Sequence, residues 1–311
     1  MTEAFYIKPL TIGDALAAAK KCGGDYIYFG GGTDAAIYRK HRLSLENGII
    51  DLNEIPEMKT IRVSENLIEI GSMVTLDEIV SFGEVVERLP LLAEAAASVA
   101  SPVIRKSATI GGNLLVGNRC TLYNQSKEWR NAIGSCLKES GDICQVTGDK
   151  NKCNARNVSD VAAALIALSA EITVRNQNDT DTFDLSELYL PDGIYPHRDL
   201  GDDGIIMNIS VPVKSIRWFF RKLRQRQSID FSSLTVAAVV SEDNHARVCI
   251  NSVSMAPVLI EGNLSQFTED EVQNRARREC KIVDNDMMAL SYRREMIGVY
   301  LRQWWQSIHD D

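Results

Sequence analysis

Tyr26-Ile27-Tyr28-Phe29-Gly30-Gly31-Gly32-Thr33-Asp34-Ala35-Ala36-Ile37-Tyr38-Arg39-Lys40 is the stretch on which the fold turns. Tyr26 to Phe29 is a short aromatic and β-branched run, which reads as a strand. It enters three consecutive glycines, and Ala35 to Lys40 then reads as a helix. Glycine has no Cβ, so successive glycines let backbone N–H groups point into one concavity and approach an anion closely. At a strand-to-helix junction, such a turn can hold a diphosphate through its amides and the helix dipole. A tight turn with no ligand produces the same pattern. Neither Gly-x-Gly-x-x-Gly nor the Walker sequence with its Lys-Ser/Thr is present in this stretch.

Upstream, Thr11 and Asp14 mark a helix start, Leu16 and Ala19 continue its apolar face, and Gly23-Gly24 ends it. Downstream, Gly48 to Leu52 is a further strand, so the first 60 or so residues form a βαβ-like unit. Thr60 to Val63 and Leu67 to Ile70 read as paired strands, Thr75 to Phe82 and Leu91 to Val99 as helices. Asp160 to Ala170 reads as a buried helix, and Ile172 to Val174 and Gly204 to Val213 as strands. From Arg217 the texture changes. Trp218 to Gln227 is basic and aromatic, Leu234 to Val240 and Val248 to Val253 alternate like strands, and Glu269 to Lys281 and Asp286 to Ile308 are amphipathic. A domain boundary is expected near Lys214.

A second glycine motif, Thr109-Ile110-Gly111-Gly112-Asn113, adds a hydroxyl and an amide side chain. Alone it is a bulge or loop; two such turns suggest loops gripping opposite ends of an extended cofactor. Immediately after it come four of the chain's seven cysteines, Cys120, Cys136, Cys144 and Cys153, spaced C-x15-C-x7-C-x8-C with no histidine among them. Thiolates are soft ligands, and four converging cysteines suit an iron–sulfur cluster or a structural zinc. The absence of a close pair such as C-x2-C tilts the choice toward iron and sulfur, with four-iron and two-iron clusters both open. The segment between them is polar, so a cluster would supply the crosslinking that orders it. Cys22, Cys249 and Cys280 are scattered and read as structural.

Composition narrows the function. A chain of 311 residues with net charge −8 lacks the clustered basic charge of a nucleic-acid protein. Met1 to Lys20 has no basic region followed by an apolar one, so no secretory signal is expected. The longest apolar run, Val161 to Ala170, is about half the roughly 20 residues of a membrane span. A cytoplasmic location with no membrane partner is therefore expected, and there a cysteine cluster favours metal binding or catalysis over disulfides. Arg221, Lys222, Arg224 and Arg226 form a charge run before Asp230-Phe231-Ser232. Such runs are usually solvated faces, although a cation at a flavin's electron-rich edge would stabilise its reduced, anionic form. No Ser/His/Asp or paired-carboxylate pattern stands out, and no catalytic residue is assigned.

With these residues in view, the chain resembles the FAD-binding medium subunits of the xanthine dehydrogenase family of molybdenum hydroxylases. The resemblance rests on Gly30 to Asp34, Thr109 to Leu114, Asp160 with Ala164 to Leu168, Leu190-Pro191-Asp192-Gly193, and Arg221-Lys222 through Asp230-Phe231. It implies an α+β fold: a PCMH-type FAD-binding domain over residues 1–214, in two subdomains with the first ending near residue 57, followed by a smaller α/β C-terminal domain over residues 215–311. It implies FAD contacts at Phe29, Gly30, Gly31, Gly32, Thr33, Asp34, Thr109, Gly111, Gly112, Asn113, Asp160 and Lys222. Where most members run directly from the Gly-Gly-Asn loop into the Asp-bearing helix, an insertion at 117–157 carries the four cysteines. That insertion, with Asn118-Arg119-Cys120 and Tyr123 to Ser126, is similar to the one that binds an extra 4Fe-4S cluster in the flavin subunits of 4-hydroxybenzoyl-CoA reductases. The resemblance implies metal ligands Cys120, Cys136, Cys144 and Cys153, a large molybdenum subunit and a small 2Fe-2S subunit as partners, and ferredoxin as electron donor. An oxidising hydroxylase subunit that passes electrons to NAD or a quinone is the alternative, and a zinc-stapled binding module a weaker third.

Overall fold

A computed structural model of the chain describes residues 4–201 and 203–309. The first part alternates strand and helix: β1 (Phe5–Ile7), α1 (Ile12–Cys22), β2 (Tyr26–Phe29), α2 (Ala35–Lys40) and β3 (Gly48–Asp51). The Thr11 hydroxyl accepts from the Asp14 N–H at 3.1 Å and starts α1, and Gly23, at φ +58°, stops it. Both β1 and β2 pair with β3 in parallel, giving the order β1-β3-β2. Parallel neighbours require crossover helices, so the expected βαβ unit is present, extended by the unforeseen β1. Ile12, Ala15, Leu16, Ile50, Ile55 and Met58 pack its core.

The middle of the chain contributes β4 (Ile61–Val63), β5 (Leu67–Gly71), α3 (Leu76–Ser81), α4 (Gly83–Arg88), α5 (Pro90–Ser98), α6 (Pro102–Arg105), α7 (Ile110–Leu114), α8 (Lys127–Ile133), α9 (Asp160–Ala167), β6 (Glu171–Arg175), β7 (Thr180–Asp184) and β8 (Ile205–Pro212). The strands form an antiparallel sheet in the order β4-β5-β8-β6-β7. Every residue of α9 is buried, as a helix apolar on all sides after its first residue, Asp160, must be. Burial of Val161, Leu165 and Ile166 contributes about 1.5–3 kcal/mol each. The sequence pattern extends this helix to Ala170, but it closes three residues sooner. Ser169 adopts φ +59°, with its N–H on the Ile166 carbonyl and the Ala170 N–H on Leu165, a left-handed cap without glycine.

The last part is a meander of β9 (Ile216–Leu223), β10 (Leu234–Ser241), β11 (His245–Asn251) and β12 (Val258–Asn263), followed by α10 (Glu269–Glu279) and α11 (Leu290–Ser307). The sheet order is β12-β11-β10-β9, antiparallel throughout. Strand β10 is apolar on both faces: Val236, Ala238 and Val240 join the core beneath α11, while Ala237 and Val239 join the core around α9. The basic aromatic run from Trp218 supplies β9, whose Phe219 and Phe220 are buried on opposite faces. Among the described residues, no helix is long and apolar enough to cross a membrane.

Candidate functional site

The glycine turn between β2 and α2 is built by close approach. Gly32 sits at φ +69°, and a Cβ there would lie 2.2 Å from the Phe29 ring. A Cβ on Gly31 would lie 1.7 Å from the Ser107 carbonyl oxygen, and one on Gly30 3.1 Å from Thr109 Oγ1. The second motif is not an open turn. Thr109 is the N-cap of α7, its hydroxyl accepting from Gly112 N–H at 3.1 Å, and Gly111 N–H donates to the Ser72 carbonyl at 2.8 Å. The two motifs therefore stand side by side, not at opposite ends of a long groove as the sequence suggests.

Together they border one open cavity of about 330 Å³. Phe29, Gly30, Gly31 and Thr109 line it, with Asn53, Lys59, Thr75 and Lys106 among the residues that complete the wall. The Asn53 amide donates to the Gly30 carbonyl at 2.9 Å and fixes the loop. Two lysines and a backbone-rich loop at one opening are a donor set for phosphate oxygens. Sequence reasoning missed Asn53, Lys59 and Lys106, which belong to no motif; only the position of Lys106, three residues before Thr109, offered a signal.

Other expected cofactor residues are engaged elsewhere. Asp34 is ion-paired with Arg119, whose guanidinium stacks on Tyr38 at 5.0 Å and on Phe231 at 4.3 Å. Asn113 Oδ1 accepts from the Ser159 hydroxyl at 2.7 Å, and Ser159 caps α9, which begins with Asp160. Asp160 is paired with Lys222 at 2.5 Å, the side chains 4 % and 5 % exposed. Asp160 also accepts from the hydroxyls of Ser232 and, at 2.8 Å, Thr235; Lys222 also donates to the Ser98 carbonyl at 3.0 Å. The structure thus joins these two residues, and it commits the Lys222 ammonium to the seam between α9 and β9. Gly32, Thr33, Asp34, Gly111, Gly112, Asn113, Asp160 and Lys222 are not in the cavity wall.

The four clustered cysteines converge. Cys120, Cys136, Cys144 and Cys153 border a single narrow cavity, with Tyr123 and Lys138 beside them. Among the described residues, no three His, Cys, Asp or Glu side chains close around one metal ion. Four thiols around one cavity are soft donors that could hold a metal or an iron–sulfur cluster. Burial raises the Cys144 thiol, but the Thr147 hydroxyl and the N–H groups of Thr147, Val146 and Asn154 outweigh it and bring the thiol below its ordinary value. Burial pushes Cys120 and Cys153 up, against backbone N–H groups of Leu122 and Tyr123 at the first and Ala155 at the second. Backbone donors aimed at sulfur stabilise thiolates, the form that binds metal. Lys138 is lowered to about 8, chiefly by burial.

The segment carrying these cysteines is closed at its neck by paired backbone hydrogen bonds between Arg119 and Arg156, at 2.8 and 2.9 Å. Arg156 is buried in an ion pair with Asp286. Arg130, 2 % exposed, pairs with Glu139 at 2.9 Å and donates to the His41 carbonyl at 3.1 Å. Gly193 meets the Cys153 backbone so closely that a Cβ would lie 2.5 Å from its carbonyl oxygen. The neck residue Arg119 is ion-paired to Asp34 of the glycine turn and directly precedes Cys120 in the chain, although it lines neither cavity.

A family model described as the FAD binding domain in molybdopterin dehydrogenase matches residues 2–214. The FAD-binding subunit PaoB of an aldehyde oxidoreductase from Escherichia coli (strain K12) is 28 % identical over 264 residues, 82 % of each chain. The medium chain of carbon monoxide dehydrogenase from Hydrogenophaga pseudoflava is 26 % identical, over 87 % of this chain and 84 % of that one. Among solved structures, the carbon monoxide dehydrogenase from Hydrogenophaga pseudoflava lacking the Mo-pyranopterin moiety superposes with TM-score 0.78 at 23 % identity, covering 97 % of this chain and 95 % of that one. Quinoline 2-oxidoreductase from Pseudomonas putida 86 superposes with TM-score 0.73 at 15 % identity, covering 97 % and 95 %. At these identities the superpositions speak for the fold.

Proposed function

This chain belongs to the family of FAD-binding domains in molybdopterin dehydrogenases, and we propose that within it the chain is the electron-transfer subunit of a molybdenum-containing 4-hydroxybenzoyl-CoA reductase. As an FAD-binding oxidoreductase subunit it would work beside a large molybdenum subunit and a small 2Fe-2S subunit, taking electrons from a ferredoxin. The reaction at the molybdenum subunit consumes two electrons and two protons, replaces the phenolic hydroxyl by hydrogen, and yields benzoyl-CoA and water. No step on the aromatic ring takes place in this chain.

The observation that carries the reading is the ring of four inserted cysteines whose neck, Arg119, is ion-paired to Asp34 of the glycine turn. Cys120, Cys136, Cys144 and Cys153 would hold a 4Fe-4S cluster, and the Gly30–Asp34 and Thr109–Asn113 segments, with Lys59 and Lys106, the diphosphate of FAD. When bound, the cluster supplies single electrons and the flavin exchanges one or two, which couples one-electron carriers to a two-electron reduction. The chain's own contribution is to hold the two sites against each other. Arg119 would tie the cysteine segment to the glycine turn, and Asn53 holds that turn through the Gly30 carbonyl.

The names of the curated relatives, dehydrogenases and an oxidoreductase, favour a second reading, an oxidising dehydrogenase subunit; NAD or a quinone would then take its electrons. Anaerobic analysis of the purified complex tests both. About four irons and four sulfides per FAD, lost together on Cys136→Ser, together with ferredoxin-driven formation of benzoyl-CoA, is the expected result. FAD without iron overturns the cluster; substrate oxidation coupled to NAD or a quinone, with no reductive activity, overturns the reductase.

A further inference from the structure

Lys138 lies between Cys136 and Cys144 in sequence and lines the cavity that the four cysteines border. Its stem is partly buried, and its ammonium donates to the carbonyls of Asn118 at 2.9 Å and Gly193 at 2.8 Å. The ammonium also stands 5.1 Å from the centre of the Tyr123 ring. Among the described residues no carboxylate pairs with it, although the neighbouring Lys127 and Arg130 both reach Glu139. A partly desolvated cation whose direct partners are neutral carbonyls is costly unless a negative group stands nearby. Four thiolates around iron and sulfide make such a group, and each added electron makes it more negative.

We propose that Lys138 is the counter-ion of the inserted cluster and a positioning residue for its redox function, holding the cluster's reduction potential above the value the four thiolates alone would set. The inference rests on the cluster reading above. The carbonyl oxygens of Asn118 and Gly193 fix the ammonium, so its charge acts from a constant place. Gly193 belongs to the segment packed on the Cys153 backbone, so cluster loop, lysine and that segment form one unit. A positive charge at this point stabilises the reduced cluster more than the oxidised one, because the reduced cluster carries one more negative charge.

The test is an EPR-monitored redox titration of the holo complex, with iron and sulfide analysis alongside, for wild type, Lys138→Met, Lys138→Gln and Lys138→Arg. Lys138→Met, with full iron, is expected to lower the equilibrium constant for one-electron reduction at least tenfold, a potential drop of about 59 mV. Lys138→Gln, which keeps a donor for the carbonyls but no charge, falls with it, and Lys138→Arg stays within threefold of wild type. If the neutral variants lose the cluster while Lys138→Arg keeps it, the counter-ion role stands on iron content. An intact cluster with an unmoved potential in Lys138→Met, or cluster loss in Lys138→Arg as well, overturns the inference alone. A wild-type chain that carries FAD but no iron overturns it together with the cluster reading.

Discussion

Lys222→Met breaks the buried pair between β9 and α9, and the structure sets the size of the effect. Lys222 and Asp160 lie 2.5 Å apart with side chains 5 % and 4 % exposed. Removing one partner of a buried pair costs about 3–5 kcal/mol, because the other charge stays buried. Three features of this site favour the lower end. Asp160 retains the hydroxyls of Ser232 and Thr235, the Ser98 carbonyl retains Arg224 at 2.9 Å, and Asp160 opens α9, where the helix dipole favours an anion. A loss of about 3 kcal/mol corresponds to a fall in Tm of about 5 °C for a chain of 311 residues. The double variant Asp160→Asn/Lys222→Met removes the stranded charge and should recover most of that fall. Differential scanning calorimetry of the holo-protein, with flavin absorbance recorded on the same samples, reads both quantities. An unchanged Tm in Lys222→Met accompanied by a shifted flavin spectrum would refute the reasoning, because it would put the ammonium at the cofactor and not in the seam.

Two further outcomes are expected. Gly31→Ala sets a methyl group 1.7 Å from the Ser107 carbonyl, so the two loops must part; flavin retention, measured by absorbance after desalting and by calorimetric titration, should fall at least about tenfold, or about 1.4 kcal/mol. His197 has a buried Nε2 without a hydrogen-bond partner, and burial, opposed by the Leu114 backbone and aided by Lys138, holds its imidazole down at about 4. The unfolded chain therefore takes up this proton near pH 6.5 and the folded chain only near 4, so stability is unaffected above pH 6.5 and declines between these values by up to about 3 kcal/mol. Denaturation from pH 7 to 4 should show that decline, and His197→Asn should flatten it by one proton.

Features marked by residue type were legible in the sequence. Three glycines between a β-branched aromatic run and Ala35 punctuate a strand and a helix wherever they occur, and the four cysteines of one polar segment do line a common cavity. The second glycine motif misled because glycine disfavours helices. Here Thr109 caps the turn, and Gly111 is needed where the helix presses on Ser72. The cavity wall was legible only in part, since Asn53, Lys59 and Lys106 reach it through tertiary packing that no local pattern records. Lys222 was visible as a charge, but its partner Asp160 lies 62 residues away, and sequence offers no measure of that proximity. Strand β9 was hidden by its charges. Its exposed residues are basic and aromatic, while its apolar residues serve two cores at once, which blurs the alternation of a strand buried on one face.

The pairing of Arg119 with Arg156 gives the cysteine segment the topology of a detachable cassette. The chain leaves the flavin fold and returns to it across one antiparallel bridge, a gap that a two-residue hairpin turn would span. Excising Cys120 to Ala155 would free the carbonyls of His41 and Gly193 from Arg130 and Lys138, and would remove no residue of any strand in the three sheets. A host fold with such a port can acquire or shed a cysteine-bearing segment in a single insertion or deletion.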